Sequence, residues 1–358
     1  MANSEESTYC DEYQIQMTNQ FSSLSYVGLL SAIKQAERAR APNRNASRIT
    51  TNINPGWERS ALFLLLQLNQ EVLRAAMNDT LPSRAMSDLK PFVRDLNRQM
   101  ARSTDAGDPV IYANWLADRL GRGLSIGDYS TFIAAMESSV GLTTGDGYKF
   151  NNQGRDLVAG INLIHAGASG SRAKLIPTGE LGELKTTMAE FVKYNRNVVL
   201  NKARQRNDTE IMVRAEVGWS ICGHRRAGEH NKLTQLSPAI FRIAYCVLQH
   251  LFPTRGFRMH QYVLFEITRE DEAAIGESIA SHLAGSYLKY GGFNVSQAGI
   301  TVGKVWSASI NWKSVALCAL NADYFKNFEQ NMKRWKENQA TRIAEVKVGS
   351  FAVTPHWL

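Results

Sequence analysis

The chain has 358 residues, of which 44% are hydrophobic and 21% are charged, values close to those of ordinary globular proteins. This composition argues against a disordered or fibrous chain, and the length favours two lobes with separate hydrophobic cores. The formal net charge is +8, and residues 190–260 hold 12 basic against 5 acidic side chains, so +7 of that charge lies there. Such a concentrated positive field favours a polyanionic partner.

The N-terminal segment has the opposite charge. Glu5, Glu6, Asp11 and Glu12 precede the first basic residue, Lys34. We predict that residues 1–24 form a flexible acidic arm. This arm is either an ordinary frayed terminus or a segment that docks on a neighbouring subunit or shields the basic surface.

The cysteines and the apolar runs indicate a reducing compartment. The four cysteines lie far apart, at Cys10, Cys222, Cys246 and Cys318. A chain of this size needs no disulfide framework, and none is predicted. The N-terminus lacks the pattern of a signal peptide, and no apolar run approaches the ~20 residues that span a bilayer. We therefore expect no membrane partner and a location in the cytosol or inside a virion.

Apolar periodicity predicts a helical N-terminal lobe over residues 25–170. Its predicted helices span 25–39, 57–77, 84–102, 108–120, 128–139 and 154–166. The fifth of these is predicted to start from Asp128. Two stretches rich in glycine and small polar residues, 141–147 and 167–172, are the candidate hinges between lobes. We place the lobe boundary near residue 170.

The C-terminal lobe is predicted to cover residues 171–340. Helices are expected over 178–200, from the Ser237-Pro238 cap to Pro253, from the Thr268 cap onward, and over 307–335. Short strands are expected at 210–219 and 261–267. Residues 341–358 form a C-terminal arm whose apolar side chains either add an edge strand or dock on an adjacent subunit. The predicted fold is thus mainly α, two helical lobes with a basic groove between them, few strands and extended arms.

Motifs for catalysis and metal binding are weak. The Gly167–Lys174 stretch lacks the Gly-Lys-Ser/Thr ending of a P-loop, which leaves a flexible loop or a backbone nest for phosphate. One set of residues contains zinc-ligand types, but its spacing matches no zinc finger: Cys222, His224, His230, Cys246 and His250. Ordinary packing is the favoured interpretation. We find no nucleophile–base or paired-carboxylate pattern, so the sequence predicts no enzyme, no metal and no cofactor.

A helical wheel of residues 178–200 shows a basic face beside an apolar stripe. With Lys193 at zero degrees, the apolar side chains fall opposite it, while Lys185 and Arg196 lie on its side. Continuing the helix would turn Lys202 and Arg206 into the apolar stripe. We therefore predict that the helix ends near residue 201 and that Lys202, Arg204 and Arg206 lie in a loop.

Cations interleaved with aromatic residues suit single-stranded nucleic acid, because phosphates meet the charges and unstacked bases lie on the rings. Tyr194, Trp219, Phe257 and Tyr262 are the candidate rings. The alternative is a solvated basic surface with these aromatics in the core. The predicted RNA-binding residues are Arg172, Lys174, Lys185, Lys193, Tyr194, Arg196, Lys202, Arg204, Arg206, Arg214, Arg225, Arg226, Lys232, Arg255 and Arg258.

Two short stretches carry a resemblance to viral proteins that coat RNA. Residues 197–202, Asn-Val-Val-Leu-Asn-Lys, are similar to a segment of plant emaravirus nucleoproteins, with different internal spacing. Residues 316–325, which end in Asp-Tyr-Phe, resemble the aspartate–aromatic signature in coat proteins of flexible filamentous plant viruses, without its preceding phenylalanine. The acidic arm, two lobes, basic middle and apolar tail also resemble negative-strand RNA virus nucleoproteins.

This resemblance implies a nucleoprotein that encapsidates single-stranded RNA and associates with itself in a ring or helical filament. Its expected location is the nucleocapsid of the virion and the host cytoplasm. The alternatives are a monomeric nucleic-acid-binding regulatory protein and an enzyme with an unrecognised site.

Overall fold

The computed structural model describes residues 12–22, 26–40, 57–97, 109–141, 152–177, 181–234, 237–295 and 327–334, with 336, 337 and 340. This part of the chain is mainly helical and contains a small antiparallel sheet. The helices are α1 (Glu12–Ser22), α2 (Tyr26–Arg40), α3 (Trp57–Gln67), α4 (Gln70–Met77), α5 (Leu81–Ala85), α6 (Ile126–Ser139), α7 (Asn152–Ser169), α8 (Gly182–Tyr194), α9 (Asn201–Arg206), α10 (Gly223–Asn231), α11 (Ala239–Leu251) and α12 (Glu270–Leu283). The strands are β1 (Arg94–Asp95), β2 (Val110–Ala117), β3 (Val213–Ser220) and β4 (Arg258–Glu266).

The sheet has the order β1-β4-β2-β3, and every residue of the central strand β2 is buried. The helix predicted over 108–120 is therefore wrong. A strand that is buried on both faces shows no alternation, so periodicity cannot distinguish it from a buried helix. The strands predicted at 210–219 and 261–267 are confirmed as β3 and β4.

The helix predicted over 84–102 is also wrong in the part that the structure describes. Helix α5 ends at Ala85, turns follow, and Arg94 pairs with Val263 of β4. Pro91 lies in the middle of the predicted span. A proline in a helix interior removes a hydrogen bond and clashes with the preceding turn, which is reason enough for the chain to leave the helix.

The predicted helix over 57–77 is two helices, α3 and α4. Asn69 caps the second, since its side-chain oxygen accepts a hydrogen bond from the Glu71 amide at 2.9 Å. Asn331, in the helical segment 327–334, donates to the carbonyls of Leu66 and Leu68 at 3.0 and 2.6 Å. These bonds satisfy carbonyls that the end of α3 leaves free.

The helices predicted at 25–39, 128–139 and 154–166 are confirmed as α2, α6 and α7, but two predicted caps are wrong. Pro238 is the N-cap of α11, and Ser237 instead lies 2.6 Å from the His230 Nδ1. Arg269 is the N-cap of α12, while Thr268 binds the Glu272 carboxylate through its amide and hydroxyl. Helix α6 starts from Ser125, whose hydroxyl oxygen accepts from the Asp128 amide.

The described hydrophobic residues form two large clusters, one on each face of the sheet. The first joins α1 to α5 and α12 to the face of β2 that carries Ile111, Ala113 and Trp115. The second joins α6, α7, α8, α9 and α11. Residues before and after position 170 contribute to both clusters, so the boundary predicted there does not separate two cores.

Part of the predicted N-terminal arm is packed helix. Met17 and Phe21 of α1 are buried in the first cluster, and the Phe21 ring lies edge-on to Tyr26 at 5.2 Å. A flexible arm through residue 24 is therefore wrong for residues 12–22. Residues 1–11, the candidate hinge at 142–147, most of the helix predicted at 307–335 and the arm at 341–358 lie outside the described residues.

Candidate nucleic-acid interface

The helix that begins at α8 does not end near residue 201. A π-helical segment, Asn195–Leu200, joins α8 to α9, so the helix runs on to Arg206. A π segment places one extra residue in a turn, which rotates everything after it by about 100° relative to an α-helix. As a result Ala203 is fully buried, while Lys202 is half-buried and Arg206 exposed. The predicted loop is wrong, yet its cations do stay out of the core.

Buried contacts hold the π segment in place. Asn195 is fully buried; it accepts from the Tyr129 hydroxyl at 2.6 Å and donates to the carbonyls of Phe191 and Gly291. Gly291 has φ +87°, and a Cβ there would lie 2.8 Å from the Asn195 side-chain oxygen. The segment is therefore tied to α6 and to the chain after α12.

Three cations on this helix have no acidic partner among the described residues. Lys193 and Arg204 are exposed and Lys202 is half-buried, and none of them forms an ion pair. Lys193 and Arg204 lie about 16 Å apart along the helix axis, at 1.5 Å per residue. We call Lys193, Lys202 and Arg204 the open cations.

The other basic residues of the helix differ. Arg196 forms two hydrogen bonds with the Glu137 carboxylate, at 3.1 and 2.6 Å, and these bonds raise the pKa of Arg196. Arg206 pairs with Asp208 at 3.2 Å. Lys185 and Tyr194 are half-buried, and Tyr194 packs against the second cluster.

A group of arginines lies around the buried carboxylate of Asp118 and the turn that follows it. Arg255 donates to the Gly123 carbonyl at 2.6 Å and lies 3.4 Å from Asp118. Arg122 pairs with the same buried carboxylate at 3.0 Å, and Arg258 donates to the Arg119 carbonyl at 3.2 Å. The sequence analysis did not identify Arg119 and Arg122, because it placed residues 108–120 in a helix. The Leu-Gly-Arg-Gly stretch at 120–123 is the pattern that could have indicated a turn with basic residues here.

The turn that contains Arg122 contacts the chain that follows α9. The Gly123 amide donates to the Glu210 carboxylate at 2.6 Å, and Leu124 forms a β-bridge with Ile211. Burial raises the pKa of Asp118, but hydrogen bonds from the Arg122 and Leu120 amides outweigh this effect. The pKa of Asp118 therefore lies below its usual value. Arg122 and Arg255 therefore face a carboxylate that stays charged, which reduces the attraction they offer an anion.

Arg225, Arg226 and Lys232 lie elsewhere, on and just after α10, which follows the opposite end of β3. Arg225 and Lys232 are exposed, and Arg225 lies 3.9 Å from Glu229. Arg226 is largely buried, donates to the Tyr112 hydroxyl at 2.9 Å and pairs with Glu229. Its guanidinium therefore makes contacts inside the protein.

Arg214 is buried inside the protein, with 1% of its surface exposed, and lies 3.8 Å from Asp79. Trp219, Phe257 and Tyr262 are buried as well. None of these four side chains offers a surface to a nucleic acid in this structure, so base stacking on the three rings is not possible here.

Arg172 and Lys174 are exposed on the loop after α7. Serine side chains shape this loop, since the Ser169 hydroxyl accepts from the Ser171 amide and the Ser171 hydroxyl accepts from the Ala173 amide, both at 3.1 Å. Residues 178–180, which follow it, lie outside the described part of the chain.

A buried polar network fills the sheet face under α10. His230 lies 3.0 Å from the Tyr112 hydroxyl through Nε2 and 2.6 Å from the Ser237 hydroxyl through Nδ1. The Asn114 amide donates to Glu216 at 2.5 Å. Burial raises the pKa of Glu216 to about 7 and lowers that of His230 to about 3, the latter with help from the charge of Arg226.

This network contains a serine, a histidine and a carboxylate, the residue types of a hydrolase triad. Ser237 has 2% of its surface exposed and His230 has 1%, and the His230 Nε2 lies 3.9 Å from Glu216. A nucleophile must reach its substrate, so this burial favours a structural role over catalysis.

The described residues contain no group of three or more histidine, cysteine or acidic side chains arranged to hold a metal. Of the zinc-ligand types noted in the sequence, His230 belongs to the polar network and Cys246 is buried, with burial raising its pKa to about 12. His250 packs against Gly160, where an added Cβ would lie 2.5 Å from its ring.

Among the helices in the described ranges, none combines the length and the apolar character that crossing a bilayer requires. Comparison of the chain with protein families, with curated proteins and with solved structures finds no match.

Proposed function

We propose that the chain binds the backbone of single-stranded RNA along α8, the π segment and α9, and that it acts as a nucleoprotein without catalysis. The open cations are the observation that carries this proposal. Exposed cations without an acidic partner attract phosphates and release counterions when they bind. Donors that contact only the backbone carry no base-specific information, so the binding is independent of sequence.

The proposed path continues toward the arginines around Asp118. Glu210 and Ile211, which follow α9 in the chain, contact that region, and we propose that a strand leaving Arg204 continues toward the exposed Arg119 and Arg258. We propose that the basic groove expected from the sequence, between two lobes, lies here. Arg172, Lys174, Arg225 and Lys232 would then contribute through the general field and not through direct contacts.

The test is fluorescence anisotropy of a labelled single-stranded RNA with the variant Lys193→Gln, Lys202→Gln, Arg204→Gln. We expect its affinity at low salt to fall by on the order of tenfold or more. The matched control removes two lysines and one arginine elsewhere, Lys90→Gln, Lys333→Gln and Arg59→Gln, all exposed positions. Equal affinity for the two triple variants would contradict an interface on this helix.

We further propose that the protein coats RNA as a ring or helical filament, in the virion nucleocapsid and in the host cytoplasm, and that its terminal arms join subunits. Negative-stain imaging with and without RNA tests this: regular assemblies support it. Uniform monomers in both samples would favour the alternative, a monomeric nucleic-acid-binding regulatory protein.

The arms are tested by truncation. Deleting residues 1–11 keeps the packed helix α1, whereas a deletion through residue 20 would also remove the buried Met17. We expect the shorter deletion, or removal of the tail after residue 345, to leave a folded protein that binds RNA without cooperativity. Filaments as regular as those of the intact chain would show that the deleted arm is passive.

A further inference from the structure

Helix α7 presents an exposed face that carries no charge along most of its length. Residues 157–171 contain no aspartate, glutamate, lysine or arginine. Leu163, in the middle of this stretch, has 75% of its surface exposed, more than any other large hydrophobic side chain of the described residues. The outer face of a surface helix is usually polar or charged, so this face is an exception.

The residues one turn before and after Leu163 extend this apolar face. Ala159 and Gly167 are both exposed, and a Cβ added at Gly167 would meet nothing within 4 Å. The opposite side of the helix is covered, because Leu157 and Ile161 are buried in the second cluster. Ala159, Leu163 and Gly167 lie on one side of the helix, and we call them the apolar strip of α7. Its two small residues let another chain approach the helix closely.

The C-terminal tail of the chain suits this strip. Residues 346–358, which lie outside the described part, contain one lysine and no acidic residue. Their large apolar side chains include Val346, Val348, Phe351, Val353 and Trp357. Burial of apolar surface is favourable, and the strip offers such surface without a charge that would have to lose its hydration. The tail and the strip are therefore complementary in chemical character.

The described chain leads into the tail on the other side of the sheet from the strip. The helical segment 327–334 packs on α3, where the Phe328 ring lies 5.2 Å from the Phe63 ring and Asn331 binds carbonyls at the end of α3. That side of the sheet holds the first cluster, whereas α7 packs on α6 and α11 in the second cluster. Within one chain, α3, the sheet and the layer of α6 and α11 separate the start of the tail from the strip.

The length of chain at the start of the tail is too short to cross these layers. Between residue 340, the last that the structure describes, and Val346 the chain spans at most about 20 Å. Packed helices lie about 8–10 Å apart and a sheet adds a layer of similar thickness, so the path between the two sides is on the order of 30 Å. The first apolar residues of a tail therefore cannot lie on the strip of their own chain. Docking of the whole apolar segment requires the strip of another copy.

We infer that the apolar strip of α7 binds the C-terminal tail of a second copy of this chain, with Leu163 as the central contact. The inference rests on the proposal that the terminal arms join subunits, and it names the surface that one arm binds. Each copy has one tail and one strip on opposite sides of its sheet, so the contact is head to tail and repeats from copy to copy. Head-to-tail contacts of this kind generate rings or helical filaments.

The first test measures binding of a fluorescent peptide with the sequence of residues 341–358. Its receptor is the full-length tail variant Phe351→Glu, Trp357→Glu, whose own tail no longer competes. We expect saturable binding that a further change, Leu163→Glu, weakens by on the order of tenfold or more, because docking would strip water from the carboxylate. The matched control is Val27→Glu, at a 57% exposed position on α2, which should leave the affinity unchanged. Circular dichroism verifies the fold of each variant. Absence of peptide binding, or equal affinity of the two glutamate variants, would overturn the inference.

The second test mixes the tail variant with a chain that carries only Leu163→Glu, without RNA and above the dissociation constant of the peptide. Each chain alone lacks one half of the contact and should stay monomeric, whereas the mixture should form dimers that do not extend, as measured by sedimentation velocity. Monomers in the mixture would overturn docking between copies.

Two outcomes separate this inference from the proposed function. If the tail variant loses assembly on RNA while Leu163→Glu keeps it, the arm joins subunits at another surface, which overturns the inference alone. Neither variant alters the open cations, so a chain that binds the peptide but no RNA would contradict the RNA interface and support the contact between copies.

Discussion

The helix α8–α9 and the helix α10 are both rich in basic residues, but they use them in opposite ways. On α8–α9, Lys193, Lys202 and Arg204 point away from the core with no acidic partner in the described structure. On α10, Arg226 is held by Tyr112 and Glu229, and Arg225 lies near the same glutamate. Net charge along a sequence therefore differs from charge that a ligand can reach.

The largest expected effect tests what keeps the cations of α8–α9 on the surface. Inserting an alanine after the exposed Asn197 adds a residue that the π segment does not already absorb, which rotates the following helix by about 100° and turns Lys202 toward the second cluster. An unpaired charge in a core destabilises a protein by about 3–5 kcal/mol. Urea denaturation should show this loss in the free energy of unfolding.

The control for this insertion changes Lys202 and Arg206 to leucine in the same chain. If register is the cause, the apolar side chains fit the stripe and restore part of the stability. An insertion variant as stable as the intact protein would mean that helical register does not decide the direction of these cations.

The polar network under α10 should respond to pH through Glu216. Burial raises the pKa of Glu216 from 4.5 to about 7, so the folded state favours the neutral acid. The stability this provides is complete below the unfolded pKa and is lost as pH rises through about 7. His230, with its pKa lowered to about 3, acts in the opposite direction and only below its unfolded value.

Glu216→Gln tests this directly, because glutamine still accepts the hydrogen bond from Asn114. Above pH 7 the variant should be more stable than the intact protein by up to about 3 kcal/mol, since one pKa unit corresponds to about 1.4 kcal/mol. Below pH 4.5 the difference should vanish. Parallel urea curves with a constant difference across this range would count against a titrating Glu216.

Arg226 and Arg225 offer a matched pair on one helix. Arg226→Gln removes a largely buried donor to Tyr112, and we expect a loss of about 1.5–3 kcal/mol in the free energy of unfolding. Arg225 has 72% of its side chain exposed, so Arg225→Gln should change stability by no more than about 0.5 kcal/mol. Equal losses would show that Arg226 is no better anchored than its neighbour.

The sequence revealed the polar face of α8 but not how α9 continues it. The spacing of Met188, Phe191 and Val192 fixes the buried stripe, because apolar side chains on one face must meet a core. The π segment depends on Asn195 reaching Tyr129 and Gly291, contacts that only the folded chain brings together. No local pattern encodes them.

Other differences have the same origin in tertiary structure. A run such as residues 110–117 suits a buried helix or a central strand equally well, and pairing with β3 and β4 decides between them. The sequence analysis placed Arg214 among the RNA-binding residues, because its position in a strand does not show which face of the sheet is covered by other elements. Because the sequence analysis predicted a helix where β2 lies, it could not place Arg119 and Arg122 in a turn that contacts the chain after α9.

The smallest expected effect sharpens the comparison by counting the phosphates that the protein neutralises. For single strands, the slope of log affinity against log salt changes by about 0.7 for each neutralised phosphate. The variant that removes the three open cations should therefore lower the slope by up to about 2, whereas Arg225→Gln should leave it nearly unchanged. Binding curves at several salt concentrations measure both. A cation that is already paired releases few counterions when RNA binds, so an equal decrease of the slope in Arg225→Gln would mean that α10 is as available to RNA as α9.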